Sequence, residues 1–153
     1  RPETMASAVI TGCKAKYSYT GKQVKPLIQV VWNGKILRNN TDYTLLYKNN
    51  KKRGSAGIVV TGKGNYSGTL TASFTIVRAF VKKASVTGLK AVYARTGKAV
   101  KPKVTVKLGG KKLKKKRDYI LSYRKNKKKG TALLYVKGVG NYSGTKKMKF
   151  KIR

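Results

Sequence analysis

The sequence has no histidine, one cysteine and three acidic residues among 153, and each scarcity excludes a class of chemistry. Catalysis near neutral pH needs groups whose protons move in that range, or a nucleophile activated by a neighbour. Glu3, Asp42 and Asp118 are the whole acidic complement. They allow no catalytic triad and no carboxylate pair within one module, so the chain reads as a non-enzyme. A single Cys13 excludes an intrachain disulfide and a cysteine metal cluster. Calcium would need several acidic oxygen ligands. Neither metal nor cofactor is expected. The apolar runs are short, as at Ala56 to Val60, and none would span a bilayer. The chain starts at Arg1 without a charged-then-apolar leader, and is read as a monomeric fragment of a larger protein.

What is present is organised by repetition. Sliding the chain against itself gives one dominant offset of 76 residues, running without a gap from Met5/Val81 to Val77/Arg153, with 35 of 73 positions identical. Thr20-Gly21-Lys22 recurs as Thr96-Gly97-Lys98, and Val24-Lys25-Pro26 as Val100-Lys101-Pro102. Asn33-Gly34 becomes Gly109-Gly110, and both pairs suit two-residue hairpin turns in which φ is positive. Gly64-Asn65-Tyr66-Ser67-Gly68 recurs unchanged at 140–144, which reads as a tight loop between the last two strands. Cys13 aligns with Leu89, an apolar packing position more simply than a reactive thiol.

Between these turns the apolar residues alternate. Ile28, Val30 and Trp32 match Val104, Val106 and Leu108; Tyr43, Leu45 and Tyr47 match Tyr119, Leu121 and Tyr123; Ala72, Phe74 and Ile76 match Met148, Phe150 and Ile152. A period of two places each set on one strand face, and no stretch shows a sustained helical period. The expected fold is all-β, with tandem antiparallel β-sandwich modules at residues 5–77 and 82–153, each of six or seven strands. The link around residues 77–81 carries no Pro or Gly/Ser run, and predicts an extended, semi-rigid pair.

The phrases Tyr19-Thr20-Gly21-Lys22, Asn33-Gly34-Lys35, Asp42-Tyr43, Tyr47-Lys48-Asn49-Asn50, Gly62-Lys63-Gly64-Asn65-Tyr66-Ser67-Gly68-Thr69 and Phe74-Thr75-Ile76 resemble the Ig-like repeats of Gram-positive bacterial surface proteins. That resemblance implies two tandem Ig-like modules and an extracellular, cell-surface or cell-wall setting, with no catalytic residues to carry over. This chain departs from the pattern where many such repeats carry acids. It has Lys111, Lys112, Lys114, Lys115, Lys116 and Arg117 before the second Asp-Tyr pair, then Arg124, Lys125, Lys127, Lys128 and Lys129 around the following Asn.

Positive charge is the abundant quantity: 38 Lys+Arg give a formal net charge of +35. Residues 1–77 hold 12 basic and 2 acidic residues, residues 78–153 hold 26 and 1. The shared fold therefore does not require the charge. Thr71, Ser73 and Thr75 become Lys147, Lys149 and Lys151, while Leu27 and Val31 become Lys103 and Lys107, with Lys101 before the proline. Alternation predicts two outward lysine stripes, forming one broad surface if they share a sheet. Such a charge opposes folding by self-repulsion and exceeds what solubility asks, so a polyanion is the expected partner. Lysine, at 30 of the 38, is a hydrated point charge suited to charge density. The candidates are teichoic acid, sulfated glycan or mucin, and DNA without sequence specificity. A passive spacer of a surface protein is the alternative. A protein-receptor adhesin would instead use Tyr19, Phe80 and Tyr135 as an exposed apolar patch.

Overall fold

A computed structural model describes residues 2–153, and the described residues are all-β apart from two short 3-10 turns, Met5–Ser7 and Val81–Lys83. No helix among them is long and apolar enough to cross a membrane. The chain divides into two compact units at Val77/Arg78.

Unit 1 holds β1 (Glu3–Thr4), β2 (Ala8–Thr11), β3 (Lys16–Ser18), β4 (Gln29–Trp32), β5 (Lys35–Ile36), β6 (Tyr43–Lys48), β7 (Gly54–Gly62), β8 (Tyr66–Ser67) and β9 (Thr69–Val77). They form a ribbon β1-β8, a three-stranded sheet β2-β4-β5 and a four-stranded sheet β3-β9-β7-β6. The turn between β4 and β5 is the expected two-residue hairpin: Asn33 and Gly34 have φ of 46° and 78°, and Trp32 faces Lys35.

Unit 2 repeats the plan with β10 (Ala79–Phe80), β11 (Ser85–Thr87), β12 (Val92–Tyr93), β13 (Thr105–Leu108), β14 (Lys111–Lys112), β15 (Tyr119–Arg124), β16 (Gly130–Gly138), β17 (Tyr142–Ser143) and β18 (Thr145–Ile152). The sheets are β10-β17, β11-β13-β14 and β12-β18-β16-β15. Part of the expected link belongs to this unit, because β10 pairs with β17 and Val81 is fully buried.

The expectation of wholly antiparallel sheets needs correction. β3 runs parallel to β9 and β12 parallel to β18, as do the ribbons β1-β8 and β10-β17. The chain leaves β2 for the other sheet through a bend at Gly12, whose φ is 91° and where a Cβ would lie 2.9 Å from the Leu27 carbonyl oxygen. A bend of this kind moves the chain to a new sheet without the reversal a hairpin imposes. The neighbour met there is set by sheet order. The repeated Gly-Asn-Tyr-Ser-Gly segment, expected as a plain loop, contains β8 and β17.

In unit 1 the two larger sheets share a core to which β2 contributes Ala8, β4 Val30, β7 Ala56, Ile58 and Val60, and β9 Phe74 and Ile76, closed by Met5, Leu37, Tyr43 and Tyr66. This is a sandwich-like arrangement. In unit 2 the aligned side chains are all buried: Val81, Ala84, Val106, Leu113, Tyr119, Ala132, Leu134, Val136, Tyr142, Phe150 and Ile152. Full burial of each larger side chain contributes about 1.5–3 kcal/mol.

Candidate anion-binding surfaces

With aligned positions filling both cores, most of the difference between the units is carried by what surrounds them. In unit 2 the expected stripes do point outward. Lys103, Lys107, Lys147, Lys149 and Lys151 are exposed beside buried Pro102, Val106, Phe150 and Ile152. The stripes do not share a sheet, however. Lys107 is on β13 of the three-stranded sheet and the other stripe on β18 of the four-stranded sheet. Alternation decides which face of a strand is outward and carries no information about which sheet holds the strand.

On the three-stranded sheet Lys107 stands directly opposite Lys112, where unit 1 pairs Val31 with Ile36. Like charges directly opposed are destabilising. On the four-stranded sheet, Lys147 faces Tyr135, which faces Ser122; Lys149 faces Leu133, which faces Arg124; and Lys151 faces Thr131. The guanidinium carbon of Arg124 lies 5.6 Å from the Tyr135 ring centroid, a cation–π distance. The unit 1 rows Thr71-Val59-Leu46 and Ser73-Gly57-Lys48 carry one cation between them. Lys146, which stands where unit 1 has Leu70, does not join the outward stripe: its ammonium donates to the Ala84 carbonyl at 2.6 Å.

The remaining cations sit around the loops. Lys101, Lys103 and Lys115 converge on a groove of about 810 Å³ with Val104, Tyr119, Leu121 and Tyr123 in its lining. Two side chains brace it. Tyr123 Oη donates to the Pro102 carbonyl at 2.8 Å, and Asn126 Nδ2 to the Val100 carbonyl at 3.0 Å while Val100 N–H donates to Asn126 O. Burial pushes the Tyr123 phenol up, aided by Tyr119 and Tyr93, which keeps the donating proton in place. Lys125, Lys127, Lys128 and Lys129 line a second hollow of about 600 Å³ in the β15–β16 loop. Lys114 and Lys116 are exposed in the turn after β14 (Lys111–Lys112), and Lys111 is half-buried.

Arg117, exposed like its neighbours, also has a structural role. Its guanidinium binds Asp118 through Nε at 3.0 Å and Nη2 at 2.8 Å, and the same carboxylate accepts the Lys114 N–H at 2.8 Å. Asp118 is buried, and burial alone would raise its pKa. The Arg117 and Lys114 hydrogen bonds, with the charges of Arg117 and Lys111, outweigh that and hold the carboxyl below its ordinary value. Arg117 thus fixes the turn that displays the neighbouring lysines. Asp42 accepts the Arg38 N–H at 2.8 Å in the equivalent turn.

Tyr19 packs against the unit 1 core, Phe80 is exposed on the β10-β17 ribbon and Tyr135 lies on the four-stranded sheet. Phe80 and Tyr135 thus stand on different sheets, and Tyr19 is not an exposed patch residue. Cys13 packs against the same core, and burial pushes its thiol up, away from the reactive thiolate. Sequence reasoning missed the Tyr135–Arg124 contact. The unmatched Tyr135/Val59 pair marks the tyrosine, and nothing local in the sequence marks its partner. Compared with known proteins, the chain matches no family model, no curated protein and no solved structure.

Proposed function

We propose that the chain is a non-catalytic extracellular segment whose second unit binds polyanions through lysine-rich surfaces, and so attaches its parent protein to a bacterial wall or host surface. In this reading each unit is an Ig-like sandwich of the kind found in Gram-positive surface proteins, and the ligand is teichoic acid, a sulfated glycan or mucin, or DNA. One observation carries it: with the same core positions filled, unit 2 replaces neutral outward residues by lysine at Lys103, Lys107, Lys112, Lys147, Lys149 and Lys151. It does so even where two lysines face each other across a ladder.

The test returns those lysines to the residues unit 1 carries, as Lys103→Leu, Lys107→Val, Lys147→Thr, Lys149→Ser and Lys151→Thr in the full chain. On a glycan and polyanion array at physiological salt the variant loses most retention on heparin, teichoic acid and DNA. Unchanged retention would remove the lysine stripes from the account. The spacer reading is favoured by the spread of the charge over separate sheets, and it predicts no saturable ligand on that array.

A further inference from the structure

We propose that the outer face of the four-stranded sheet of unit 2 is a stacking platform for single-stranded nucleic acid, with Tyr135 and the neighbouring Arg124 guanidinium receiving a base and Lys147, Lys149 and Lys151 receiving the flanking phosphates. This rests on the polyanion-binding reading and names the ligand class for one of its surfaces. Residues directly opposed on such a sheet have Cβ atoms about 4.5–5.5 Å apart. Successive outward residues on one strand repeat about every 6.7 Å, close to the rise of one nucleotide in a stretched single strand. Lys147 is directly opposite Tyr135, so a phosphate held by the lysine leaves its base beside the ring.

Arg124 is placed diagonally to Tyr135, since it pairs with Leu133 while Tyr135 pairs with Ser122. Its 5.6 Å contact holds the half-buried ring and offers a second planar group for stacking. At the other end of the stripe Lys149, Lys151, Arg153, Thr131 and Val92 border a hollow of about 450 Å³. Cations and aromatic therefore follow one track.

The composition of the face selects among polyanions. Its outward residues on β15, β16 and β18 (Ile120, Ser122, Arg124, Thr131, Leu133, Tyr135, Lys137, Thr145, Lys147, Lys149 and Lys151) include no Asp, Glu, Asn or Gln. Sugar hydroxyls would find few acceptors. Charge with an aromatic ring is the combination that tracks a single strand without reading its sequence. Duplex DNA keeps its base faces stacked inside and cannot use Tyr135. Unit 1 offers no counterpart, having Val59 at the aligned position and Thr71, Ser73 and Thr75 in place of the stripe.

Fluorescence-anisotropy titrations of the full chain with oligothymidylate, an abasic oligonucleotide of equal length, duplex DNA and heparin test this. Tyr135→Val, which installs the residue unit 1 tolerates, lowers oligothymidylate affinity about ten-fold. It leaves abasic and heparin binding unchanged, and Tyr135→Phe keeps parental affinity. Tyr135→Leu serves as a second truncation should the valine variant melt early. Equal loss on abasic and base-bearing strands, no loss at all, or a parent that prefers duplex would overturn the platform. Heparin binding that survives in those cases leaves the polyanion reading standing. Absence of binding to every polyanion at low salt overturns both.

Discussion

Asp118 shows how a single carboxylate organises a basic turn. Its pKa in the folded unit lies below the usual aspartate value of about 3.9, despite burial, because Arg117 and the Lys114 N–H hold the charged form. The stabilisation is complete above the unfolded-state value and is lost as pH falls through the folded-state value. Unit 2 should therefore lose stability on acidification below about pH 4. Asp118→Asn should remove part of that dependence and lower stability by about 1–3 kcal/mol. Thermal melts between pH 7 and pH 2 would check this, and a variant as acid-sensitive as its parent would contradict it. Two lysines mark the opposite case. Lys116 and Lys125 have φ of 76° and 54°, where unit 1 has Asn40 and Asn49 at 70° and 52°. Left-handed backbone is unfavourable for most L-residues and tolerated better by Asn. Lys116→Asn and Lys125→Asn should each stabilise unit 2 by about 0.5–1 kcal/mol while weakening polyanion binding. Loss of stability in denaturant melts would show that the lysines hold these loops.

At the level of strands, much was legible. The 76-residue offset together with period-two alternation gave β4, β6 and β9 with their counterparts β13, β15 and β18, and Asn33-Gly34 and Gly109-Gly110 gave the β4–β5 and β13–β14 hairpins. The central strands β7 and β16, which supply Ala56, Ile58 and Val60 and their counterparts to the cores, are continuous apolar runs without alternation and are not distinguished by it. The outward direction of Lys147, Lys149 and Lys151 followed from the same period. What escaped had no local signal. Two-residue strands such as Glu3–Thr4 and Ala79–Phe80 are too short for any periodicity, and the parallel pairing of β3 with β9 depends on sheet order alone. The separation of the two lysine stripes, and the meeting of Tyr135 with Arg124, likewise depend on long-range register. The Lys107–Lys112 pair is the sharpest element-scale test. Lys107→Val with Lys112→Ile, the unit 1 pair, should stabilise unit 2 by about 0.2–1 kcal/mol at low salt, and the gain should shrink as salt screens the repulsion. A double-mutant cycle at two salt concentrations reads this directly, and a coupling independent of salt would contradict it.

Over the whole chain the two units carry matching core positions under different electrostatic loads, 12 basic and 2 acidic residues against 26 and 1. Self-repulsion opposes the compact state, so added salt should raise the unfolding midpoint of unit 2 more than that of unit 1. Among the described residues every strand pairing lies within one unit, which makes 1–77 and 78–153 natural pieces to compare. The most direct measurement is the heparin affinity of each piece as a function of salt. Polyanion binding by charge density releases counterions, so log affinity should fall linearly with log salt. Residues 78–153 should bind tightly at low salt with a steep slope, and residues 1–77 weakly with a shallow one. Equal affinities and equal slopes for the two pieces would contradict it.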